Sequence, residues 1–127
     1  TNELYYLDCL NGSYEAANSL PEKNSAARCL DIYPRSNEFE EMTAVGFNNG
    51  SVLILNKYTA KISSIAAHSS PVSCLAWNED SLLASGSDMG IVRVWKLSPN
   101  LSQKFTISHH KGSINALAWM PLYSDND

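Results

Sequence analysis

The stretch LLASGSDMGIVRVW (Leu82–Trp95) reads as a strand, a tight turn and a second strand that ends in tryptophan. Its first half is built of small residues, as in strands whose neighbours pack closely. Asp88-Met89-Gly90 supply turn chemistry between the strands. Val92, Val94 and Leu97 are set against Arg93 and Lys96, close to the period of two that a half-buried strand requires. Whether this hairpin stands alone or repeats decides the fold.

It repeats. TAVGFNNGSVLIL (Thr43–Leu55) aligns on LASGSDMGIVRVW (Leu83–Trp95) at an offset of 40 residues, with Ala44, Gly46, Gly50, Val52 and Ile54 matching Ala84, Gly86, Gly90, Val92 and Val94. HSSPVSCLAW (His68–Trp77) aligns on HKGSINALAW (His110–Trp119) at an offset of 42. RCLDIYP (Arg28–Pro34) aligns on SCLAWNE (Ser73–Glu79) at 45, which places a five-residue insertion at Arg35–Glu41. A further strand fits KISSIAA (Lys61–Ala67) and QKFTISH (Gln103–His109), each just before the recurring histidine. The unit is therefore four short strands in roughly 42 residues. Only SYEAANSL (Ser13–Leu20) has helical potential, about two turns. The rest is rich in β-branched and turn residues, so the expected fold class is all-β.

Four antiparallel strands per 40–45 residues, with histidine early and tryptophan late, resembles the blade of a WD-repeat β-propeller. The resemblance runs from about Leu4 onward. It divides the chain into the end of one blade (1–24), two nearly whole blades (25–67 and 68–109) and the start of another (110–127). ELYYLD (Glu3–Asp8) takes the place of a third strand, and LNGSYEAANSL that of a turn and an outer strand. A propeller closes with at least four blades. The chain is thus expected to be part of a longer protein, or to be completed by other polypeptide. Alone it would expose edge strands and apolar blade faces.

In WD repeats a histidine, a serine or threonine, an aspartate and a tryptophan often form a buried polar chain. His68, Ser85 and Trp95 match this pattern, and His110 opens the next copy. The aspartate position, six before Trp95, is Met89, with Asp88 one place early; Lys96 follows Trp95. In the preceding blade Asn49 holds the aspartate position and Leu55 replaces tryptophan. The expectation is that packing, not the polar chain, holds such degenerate blades. The succession TAVGFNNGSVLILN, HSSPVSCLAWNEDSLLASGSDMGIVRVW and HHKGSINALAWMP is similar to central blades of Fizzy-type activators of the anaphase-promoting complex. That resemblance implies a substrate-recruiting adaptor of a ubiquitin ligase that binds degron peptides in the nucleus or cytoplasm. The rival reading is an architectural scaffold subunit of a multiprotein complex.

The net charge of −4 argues against a nucleic-acid footprint. It is uneven: three basic and eight acidic residues lie in 1–56, six and five in 57–127. No apolar run reaches a membrane span. Cys9, Cys29 and Cys74 lack any CxxC spacing and fit buried thiols in a reducing compartment. The N-x-S triplets at Asn11, Asn49 and Asn100 read as turn chemistry. The histidines have no metal-ligand spacing, and Gly86-Ser87-Asp88 is a turn rather than a nucleophile elbow. No catalytic, cofactor or metal site is expected. The function lies in surface recognition by the loops before the first strands and the turns between second and third strands. Asn48, Asn49, Ser69, Ser70, Ser87, Asp88, Met89, His109 and Lys111 form the candidate peptide-binding face.

Overall fold

A computed structural model describes residues 5–7, 10–16, 25–33, 42–56, 62–80, 82–97, 101–108 and 110–120. The described residues hold ten strands and no helix. β1 (Tyr5–Leu7) and β2 (Tyr14–Ala16) pair antiparallel, where the sequence suggests a third strand, turn and outer strand. Tyr14–Ala16 is thus strand, not the start of a short helix.

Two four-stranded antiparallel sheets follow, each in simple meander order. The first, blade I, contains β3 (Ala27–Ile32), β4 (Met42–Phe47), β5 (Ser51–Asn56) and β6 (Ile62–Ala66). The second, blade II, contains β7 (Val72–Trp77), β8 (Leu82–Ser87), β9 (Val92–Lys96) and β10 (Ser102–Ile107). The Arg35–Glu41 insertion and Cys9 lie outside the described residues.

The repeat extends to backbone detail. Each first strand carries a bulge at the same place, at Arg28 in β3 and at Ser73 in β7. Each β-turn between second and third strands closes on a glycine with φ positive, Gly50 at 90° and Gly90 at 81°. A side chain there would also strike the carbonyl of His68 or of His110. Asn11 and Asn49 behave as the N-x-S reading suggests. Their side-chain oxygens accept from the amide and hydroxyl of Ser13 and Ser51.

The middle strands β4 and β8 are buried almost throughout, with one face of each in the seam between the two blades. The main core lies between the blades. Ala44, Val52, Ile54, Ile65 and Tyr33 of blade I meet Val72, Leu75, Trp77, Leu83 and Trp95 of blade II. Small residues set the spacing of this seam and of the next, between blade II and Ile114. A Cβ on Gly46 would lie 2.6 Å from Val72 Cγ1, and one on Gly86 would lie 2.6 Å from Ile114 Cγ2. Cys29 and Cys74 each donate from sulfur at 3.6 Å to the carbonyls of Val72 and Ile114. Burial raises both thiols, Cys29 to about 11 with Cys74 nearby adding to the rise, so they are inert packing groups.

INALAW (Ile114–Trp119), expected as a strand, is not in a ladder. In blades I and II the first strand pairs with the second, which follows it in sequence. This segment nevertheless docks as a first strand does. Trp119 Nε1 donates to Ala76 O at 2.8 Å, as Trp77 Nε1 donates to Asp31 O at 3.1 Å. Ile114 is buried against blade II.

Candidate functional site

The loops and turns of the candidate face do come together. His68 N donates to Gly50 O, and Asp88 N donates to Pro71 O, both at 3.0 Å. Asn49 N donates to Ser25 Oγ at 2.9 Å. The loop 68–71 is therefore held between two middle turns, at Gly50 of blade I and Asp88 of blade II, and Ser25 at the opening of blade I holds the Asn49 turn. Asn48, Asn49, Ser69, Met89 and Lys111 are exposed, and Ser70 and Asp88 are half-buried. Met89 stands 67% exposed. Ser87 departs from the expectation. β8 runs through it, it is 1% exposed, and its hydroxyl receives the Ile91 amide at 3.4 Å, so it offers nothing to a ligand. His109 lies outside the described residues.

One charged constellation on this face was not read from the sequence. The bulge at β3 turns Arg28 outward, and its Nη1 reaches Asp88 Oδ2 at 2.6 Å. The other carboxylate oxygen of Asp88 accepts from Ser113 Oγ at 3.0 Å. These two hydrogen bonds hold the Asp88 carboxyl below its ordinary range, Arg28 contributing most. A bulge is a register property, visible only once the partner strand is placed. The proximity of residues 28 and 88 therefore leaves no local signal.

Beneath the face lies the polar chain. His68 Nε2 and Ser85 Oγ are 2.8 Å apart, and Trp95 Nε1 donates to the same hydroxyl at 3.0 Å. Ser85 in turn faces Arg93 O at 3.4 Å. Three of the four expected members thus join in blade II, where packing alone was expected. With methionine at position 89 the chain stops at the imidazole, and His68 Nδ1 is buried without a hydrogen-bond partner. Arg93 Nη1 caps the Ala67 carbonyl beside it at 2.6 Å. Burial, and then the Arg93 charge, push the His68 pKa down to about 4, so the ring is neutral at physiological pH. Among the described residues His110 joins no such chain. Its side chain is exposed and its carbonyl rests over Gly90.

Two apolar depressions lie among the described residues. A groove of about 200 Å³ lies between the blades at the end away from the turns, lined by Met42, Ile54, Asn56, Ile65, Leu97 and Leu101. Another of about 150 Å³ lies on the far side of blade II, lined by Ala84, Val94, Phe105, Ile107, Leu117 and Trp119. Among the described residues, no group of three or more histidine, cysteine, aspartate or glutamate side chains is placed to hold a metal ion. No helix among them is long and apolar enough to cross a membrane.

Residues 59–96 match the family model described as WD40: WD domain, G-beta repeat. The chain is 38% identical over 66 residues to WD repeat-containing protein slp1 of Schizosaccharomyces pombe, covering 51% of this chain and 13% of that protein. It is 34% identical over 68 residues to protein transport protein SEC31 of Chaetomium globosum, covering 52% and 5%. It is 38% identical over 72 residues to retinoblastoma-binding protein homolog 5 of Caenorhabditis elegans, covering 54% and 15%. The chain therefore spans a small part of each relative's length. Among solved structures, a crystal structure of a mitotic checkpoint complex superposes with a TM-score of 0.77 at 24% identity, over 92% of this chain and 34% of that one. A computationally designed protein, Ika8, superposes with a TM-score of 0.69 at 23% identity, over 87% and 32%. The WD40 match is confined to residues 59–96, and the two four-stranded meander sheets have the fold of WD-repeat propeller structures.

Proposed function

We propose that this chain is part of a peptide-recognising WD-repeat propeller, a substrate adaptor of a ubiquitin ligase like the activators of the anaphase-promoting complex. It would act in the nucleus or cytoplasm. The observation that carries the reading is the turn-side face, where exposed Met89 stands beside the Arg28–Asp88 pair at the junction of successive blades. An apolar anchor next to fixed charges suits an extended peptide, whose side chains give specificity and whose backbone meets polar turns. The similarity of consecutive blades to Fizzy-type proteins supports degron peptides as the class of ligand. The residues in hand suit binding rather than catalysis, since buried His68 is neutral and engaged with Ser85.

The scaffold reading has its own support. The far side of blade II is apolar, with Phe105 and Ile107 half exposed, while the equivalent Ile65 of blade I is covered by blade II. Further blades or a partner subunit would cover that face. A pull-down of the full-length protein with degron peptides and with the anaphase-promoting complex separates the two. Capture of both supports the adaptor, with the peptide interaction lost on Met89→Glu. Capture of neither supports the scaffold.

A further inference from the structure

We propose that Asp88 is the positioning residue of the candidate face, a single carboxylate that fixes the spacing of three successive blades. Arg28 belongs to the first strand of blade I, Asp88 to the middle turn of blade II, and Ser113 to the opening of the strand that follows. Both carboxylate oxygens are engaged, Oδ2 by the guanidinium at 2.6 Å and Oδ1 by the hydroxyl at 3.0 Å. Backbone bonds flank the junction on each side. Asn48 N donates to Ala26 O at 2.9 Å near Arg28, and Ile114 N donates to Ser87 O at 3.0 Å next to Ser113.

The equivalent turn of blade I is built differently. There Asn49 closes the turn on its own blade through Ser51, at 3.0 and 2.7 Å. In blade II the acidic residue stands one place before the position that would point it at His68. That single-residue displacement takes a carboxylate out of the polar chain within the blade and places it between blades. The bulge at Arg28 is the complementary device, because it re-aims a side chain from the first strand toward the neighbouring turn. Charge-assisted bonds of this kind are short and directional, so they fix geometry at a site more than they add stability. The turns that would receive a peptide thereby keep one separation before any ligand arrives. The purpose of the clasp rests on the recognition reading. Its existence is tested on the unliganded protein, so the two fail separately.

The experiment is residue-resolved amide hydrogen exchange on the full-length protein. Asp88→Ala should speed exchange of both the Asn48 and the Ile114 amides by roughly fivefold or more, as expected for loss of a charge-assisted bond. Arg28→Ala should act at Asn48 alone and Ser113→Ala at Ile114 alone. In the Asp88→Ala background neither should add anything. The charge exchange Arg28→Glu with Asp88→Arg should restore protection at Asn48. Wild-type exchange at both amides in Asp88→Ala overturns the proposal. So does an effect confined to the Gly90 amide, which would mark Asp88 as a local turn residue. Failure of the charge exchange to restore Asn48 overturns it as well.

Discussion

Blades I and II share strand order, bulge, turn glycine and inter-blade contacts, yet they fill one face in opposite ways. On the face that blade II turns toward blade I stand Ser85, Ser87, Arg93 and Trp95. The equivalent residues of blade I are Val45, Phe47, Leu53 and Leu55, which form an apolar cluster of their own. Ser85 and Val45 are both almost completely buried. One backbone therefore accepts either a closed hydrocarbon patch or a hydrogen-bonded polar set. The polar solution demands that every member find a partner, whereas the apolar one demands only volume.

The largest effect that probes this contrast is loss of the tryptophan. Trp95→Ala should cost about 3–5 kcal/mol in urea unfolding of the full-length protein, since it opens a cavity and strips Ser85 of its indole partner. Leu55→Ala, which empties a partly buried site, should cost no more than about 2 kcal/mol. Equal costs would erase the distinction between the blades.

A subtler break is Ser85→Val, which gives blade II the residue of blade I. It leaves the Trp95 indole N–H and the His68 ring nitrogen buried and unmatched, at a cost of about 2–3 kcal/mol. The combined replacement Ser85→Val, Arg93→Leu, Trp95→Leu copies three of the four blade I residues and should cost less than the sum of its three parts. Strict additivity would show that the polar residues are not a unit.

Acid should weaken blade II selectively. Unfolded histidine titrates near 6.5 and His68 in the fold near 4, so between these values the unfolded chain binds the extra proton. Stability is complete above about pH 6.5 and falls as pH drops toward 4, by up to about 3 kcal/mol. Thermal melts of His68→Gln should lack that slope. A slope of unchanged size in the variant would assign it to other groups.

The smallest expected effect is a gain. Met89→Asp restores the acidic residue at the position the repeat pattern expects. It should add about 0.5–1 kcal/mol and move the His68 titration upward in NMR. An unmoved titration would mean that Nδ1 does not face the turn.

Much of the fold was legible because periodicity is written locally. Alternation in Val92–Lys96, the glycines at 50 and 90, and the recurring Leu-Ala-Trp each specify a strand, a turn or a seam without reference to the rest of the chain. The candidate site was legible only in part. Met89 and the asparagines followed from turn chemistry. Ser87 was misread because serine beside glycine and aspartate looks like a turn, whereas β8 extends through it and buries it. Arg28 and Asp31 gave no sign of their roles. The first depends on a bulge. The second acts through its placement opposite the neighbouring strand, where its carboxylate receives the Trp77 amide at 2.8 Å and its carbonyl receives the indole.

The tryptophans also give the molecule an internal optical gauge. Trp77 lies at the seam between blades I and II, bonded across it and edge-on to Tyr33 with ring centroids 5.5 Å apart. Trp119 spans the following seam and is half-buried, while Trp95 lies within blade II. Parting either seam breaks an indole hydrogen bond and wets the ring, shifting its emission to longer wavelength. Single-tryptophan variants would then report the opening of each seam separately, with no dye attached.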